Sequence, residues 1–71
     1  MNSRQRAELA LQFGRKIAKL SRDRKKIQDR LEEVHWSDPG LKRDLNYYIE
    51  EITYQIGRAQ RALEYVTRPL Y

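Results

Sequence analysis

Two apolar seams flank a single turn, and they match. In the first half Ala10, Phe13, Ile17, Leu20, Arg24, Ile27, Leu31 and Val34 recur at alternating spacings of three and four. In the second half Leu45, Ile49, Ile52, Ile56, Ala59, Leu63 and Val66 do the same. Such spacings place side chains on one face of an α-helix. Between the seams lies Ser37-Asp38-Pro39-Gly40. An Asp that caps a helix, followed by a proline with no N–H to lose in a first helical turn, is a stop and restart.

Folding the chain there pairs Val34 with Leu45, Leu31 with Ile49, Ile27 with Ile52, Leu20 with Ala59, Ile17 with Leu63 and Phe13 with Val66. An all-α fold follows: an antiparallel two-helix hairpin with a coiled-coil-like seam. It forms a single helical-hairpin domain over residues 1–71, with helix one at about 3–36, the turn at 37–40 and helix two at about 39–67. Asn2 or Ser3 is positioned to cap helix one, and Gln5 to complete a capping box with Asn2. Helix two should stop near Thr67, because Pro69 disfavours helix at the residue before it. Trp36 is expected to cover the core at the turn, and Leu70 to pack back beside Ala10.

Two helices offer each other only one stripe each, which makes a poor core. The hairpin is therefore expected to dimerise into a four-helix bundle, with Leu9, Leu11, Leu41 and Tyr48 widening the apolar stripe. Arg24 interrupts the seam where an apolar side chain belongs. An unpaired buried charge is costly, so Arg24 should snorkel its guanidinium outward or bond Gln55 or Tyr54.

Charge divides the chain. Of 15 Lys and Arg residues, ten fall in residues 1–30 against only Glu8, Asp23 and Asp29. Residues 31–71 hold the other five against seven acidic residues, leaving helix two mildly acidic. On a helical wheel Arg4, Arg15, Lys19, Arg22, Lys26 and Arg30 all point away from the seam, and Arg15, Lys19, Arg22, Lys26 and Arg30 form its main ridge. Any helix with a buried seam carries charge outside, but a merely solvated face usually mixes signs. A ridge of one sign suits the phosphate backbone of a nucleic acid, or an acidic protein surface.

Helix two carries a second stripe. Tyr47, Tyr54, Arg58, Arg61 and Tyr65 lie close to one line, roughly opposite the seam, so they cannot all pack inside the hairpin. Tyr and Arg are enriched at binding hot spots, and they also stack on bases and grip phosphates. This stripe either lines an interface between copies or meets an external partner.

Catalysis is not expected. The chain has no Cys, one His and no glycine-rich phosphate loop, and Ser3, Ser21 and Ser37 have no base placed beside them. A two-helix scaffold has no cleft in which to shift pKa values. Glu32 and His35 form the only metal-like spacing, at the end of helix one, where a lone His more often complements the helix dipole. No cofactor is expected. No apolar run reaches membrane-span length, Met1-Asn2-Ser3-Arg4 is not backed by a leader-like apolar stretch, and a cytoplasmic protein with no membrane partner is expected. The plan resembles that of the small dimeric helical-hairpin RNA-binding proteins of plasmids. The likeness is one of architecture and assigns no residue.

The sequence thus reads as a small non-enzymatic binding protein that engages nucleic acid through the ridge. The alternative is a phage- or plasmid-type regulator or inhibitor that docks on a larger protein through its Tyr/Arg face.

Overall fold

A computed structural model of the chain describes residues 2–34 and 37–68. It contains two helices, α1 (Ser3–Glu33) and α2 (Pro39–Thr67), packed against each other as a hairpin. The molecule is a rod with extents of 56 × 15 × 12 Å.

The helix ends follow from local chemistry. Asn2 caps α1: its side-chain oxygen accepts from the Gln5 amide at 2.8 Å, and the Gln5 side chain accepts in return from the Asn2 amide at 3.1 Å. This reciprocal pair satisfies two amide donors that the first turn leaves without helical partners. Asp38 caps α2 through the Leu41 amide at 3.2 Å, with Pro39 entering the first turn. The second helix matches its expected bounds.

The first helix is shorter than expected and ends at Glu33 rather than near residue 36. Val34 is already extended, with its amide bonded to the Leu31 carbonyl at 3.2 Å. Reversing a chain between antiparallel helices needs a few non-helical residues, and Asp38 is itself barred from helix by Pro39. Arg68, before Pro69, is extended for the same reason. The expected roles of His35, Trp36 and Leu70 lie outside the described residues.

The seam forms, but it is thin. Among the described residues only Ile56, Ala59 and Val66 are buried. Phe13, Ile17, Leu20, Ile27 and Leu31 on α1, and Leu45, Ile49, Ile52 and Leu63 on α2, remain half-exposed. One stripe against one stripe covers each side chain on one side only.

Val34 and Leu45 share a recess at the turn, as paired. Toward the open end Phe13 shares a recess with Ala59 and Ala62, and Ala10 shares one with Val66. The apolar repeat recurs every turn, so the sequence alone fits neighbouring rungs almost equally well. Arg24 snorkels as expected, but its Nη1 donates to Thr53 Oγ1 at 3.3 Å, not to Gln55 or Tyr54.

A feature the pattern gave no hint of clasps the open end. Arg6 Nε donates to the Val66 carbonyl at 2.8 Å, and Arg6 Nη2 donates to the Arg68 carbonyl. A guanidinium there meets carbonyls that have no helical partner and complements the negative end of the α2 dipole. Among the described residues, no helix is long and apolar enough to cross a membrane.

Candidate nucleic-acid interface

The α1 helix positions the basic ridge. Helical spacing puts Arg15, Lys19, Arg22, Lys26 and Arg30 on its outer side, and all five are exposed. Over this stretch the axis rises about 22 Å. Two other cations of α1 are neutralised locally: Arg4 pairs with Glu8 at 3.4 Å, and Lys25 with Asp29 at 3.1 Å. The hydrogen bond to Asp29 and its charge hold the Lys25 ammonium above its ordinary pKa. None of the five ridge residues has an ion-pair partner among the described residues. The ridge is therefore a row of uncompensated cations on a rigid rod.

The α2 helix presents the second stripe. Tyr47, Tyr54, Arg58, Arg61 and Tyr65 are all exposed, Tyr65 to 72% and Tyr54 to 58%. The stripe is partly self-organised. The Arg58 guanidinium lies 5.9 Å from the centroid of the Tyr54 ring, a cation–π contact one turn long. Tyr47 meets Tyr48 edge to face, with centroids 6.1 Å apart. Arg61 bends back onto the Gly57 carbonyl at 3.4 Å. Rings this exposed gain little from the hairpin's own core.

The two helices meet in one place relevant to binding. A recess midway along the rod is lined by Phe13 and Lys16 of α1 with Tyr54, Arg58, Ala59 and Ala62 of α2, and Glu51 and Gln55 lie at its edge. The sequence reading kept the ridge and the stripe on separate helices. Only the packing of α1 on α2 brings Lys16 into one recess with Tyr54 and Arg58. Nothing in either helix alone marks that juxtaposition.

The opposite broad side of the rod differs in character. Ser3, Arg6, Ala7 and Ala10 line it near the open end with Val66 and Thr67. By helical spacing Gly14, Ile17 and Ser21 continue it on α1, and Asn46, Ile49, Thr53 and Gly57 on α2. Two cations on this side are engaged, Arg6 at the α2 carbonyls and Arg24 at Thr53. A Cβ built on Gly14 would meet nothing within 4 Å, so nothing within the single hairpin requires glycine there.

Among the described residues no group of three His, Asp or Glu side chains converges as a metal site. The Glu32–His35 pair falls partly outside them. No protein-family model matches this chain, and no curated protein and no solved structure matches it.

Proposed function

We propose that the hairpin is a non-enzymatic nucleic-acid-binding protein that grips the phosphate backbone with the α1 ridge. The observation that carries this reading is the row of five exposed cations, Arg15 to Arg30, with no ion-pair partner among the described residues. An unneutralised row on a straight helix costs self-repulsion, and neutralising phosphates relieves it while releasing counterions from the nucleic acid. Such contacts position the protein and read little sequence. The test is charge reversal: Lys19→Glu with Lys26→Glu should abolish binding to DNA and RNA at low salt while the helical circular dichroism is retained. Failure of the wild-type protein to bind either one at low salt would remove this reading.

A second hairpin completes the core. The half-exposed seam argues for it, and so does geometry: one broad side of a rod 56 Å by 15 Å matches the roughly 800 Å² per partner that a standard interface needs. The side bearing Gly14, Ile17, Ile49 and Gly57 can meet its own copy, and glycine admits close approach. This arrangement leaves the ridge, the recess and the Tyr/Arg stripe outward.

The second functional reading is a regulator that docks on a larger protein through α2. It is favoured by the exposure of Tyr47, Tyr54 and Tyr65 beside Arg58 and Arg61, a hot-spot composition. Under that reading Tyr54→Ala and Arg58→Ala each weaken the partner by about 2 kcal/mol or more with helix content unchanged.

A further inference from the structure

We infer that the mid-hairpin recess seats one unpaired base of a single-stranded nucleic acid, an inference that rests on the ridge reading above. Its lining combines three chemistries. Phe13 with Ala59 and Ala62 supplies an apolar floor, Tyr54 a ring with more than half its surface in solvent, and Lys16 and Arg58 one cation from each helix. A free phosphate would use the cations and gain nothing from the floor. An apolar protein side chain would use the floor and leave two cations to be desolvated. A nucleotide uses all three: its base stacks on the tyrosine, its flanking phosphates meet the cations, and its polar edge faces Glu51 and Gln55.

The recess is also on the path. Lys16 lies three residues before Lys19, the second cation of the ridge, so a strand tracked by the ridge passes its mouth. A base inside a duplex cannot enter without leaving its stack, which sets the specificity: single strands over duplex, by shape and stacking rather than by sequence.

The test uses the full chain and fluorescence anisotropy with three probes: a labelled mixed-sequence single strand, a strand of equal length built from abasic residues, and the matching duplex. Stacking of one base is worth about tenfold in affinity, so the intact strand should bind about tenfold tighter than the abasic one. Tyr54→Ala should erase that ratio while leaving abasic binding and its salt dependence as in wild type, and Tyr54→Phe should keep it. Equal affinity of wild type for intact and abasic strands, or an unchanged ratio in Tyr54→Ala, overturns the base seat and leaves the ridge reading standing. Absence of binding to all three probes overturns the ridge reading itself. A loss of assembly mass in Tyr54→Ala would assign the recess to contact between copies and overturn the seat.

Discussion

Replacing single isoleucines separates a lone hairpin from a paired one. Ile56 is 5% exposed, whereas Ile49, two rungs nearer the turn on the same helix, is only partly covered. Truncating isoleucine to alanine removes three carbons, each worth about 0.8 kcal/mol when fully buried. Ile56→Ala should therefore cost about 2.4 kcal/mol by transfer alone. If the hairpin stood alone, Ile49, which is only partly covered, would forfeit about two-thirds or more of that on truncation to alanine, at least about 1.5 kcal/mol. If a second copy covers the side bearing Ile17, Ile49 and Gly57, Ile49 is as buried as Ile56 and the two substitutions cost the same. In a chain of this size 2.4 kcal/mol lowers the melting temperature by about 10–20 °C. Thermal melts at 222 nm over a concentration series read both quantities, because a dimer melts higher as protein concentration rises. The account predicts equal costs and a concentration-dependent midpoint. A smaller cost at Ile49 than at Ile56 together with a concentration-independent midpoint would refute pairing through that side.

Three further outcomes follow from the contacts. Arg6→Ala should destabilise the open end by about 1–2 kcal/mol, since a charged donor to two carbonyls is lost, and amide exchange should quicken in the last turn of α2 first. Asp38→Ala should cost about 1 kcal/mol through loss of the cap on the Leu41 amide, read by urea denaturation, and Asp38→Asn should restore most of it. Gly14→Ala would gain up to about 1 kcal/mol of helix propensity in a lone hairpin with open space at that Cβ; in the paired protein it should instead weaken association, and a uniform rise in melting temperature would count against close approach there.

How much the sequence disclosed depended on the range of the interaction. The caps were legible because they act over three residues: Asn2 with Gln5, and Asp38 with Leu41, needed no partner helix. The seam was legible because its period is that of the helix. Exact register was less so, because a repeating stripe fits itself at neighbouring offsets. The early end of α1 at Glu33 reflects the length of chain a reversal consumes, which periodicity does not encode. The Arg6 clasp and the meeting of Lys16 with Tyr54 join residues far apart in the chain. Each depends on the rotation of one helix against the other, and neither wheel contains that angle.

The ridge as a phosphate grip is tested most directly by the salt dependence of duplex binding. If Arg15, Lys19, Arg22, Lys26 and Arg30 each neutralise one phosphate, log K should fall against log salt with a slope near −4.5 for each hairpin engaged, about −0.9 per contact. Lys19→Ala should flatten that slope by about 0.9 and weaken all sequences alike. A wild-type slope near zero, or an unchanged slope in Lys19→Ala together with Lys26→Ala, would contradict the claim that this face of α1 holds the backbone.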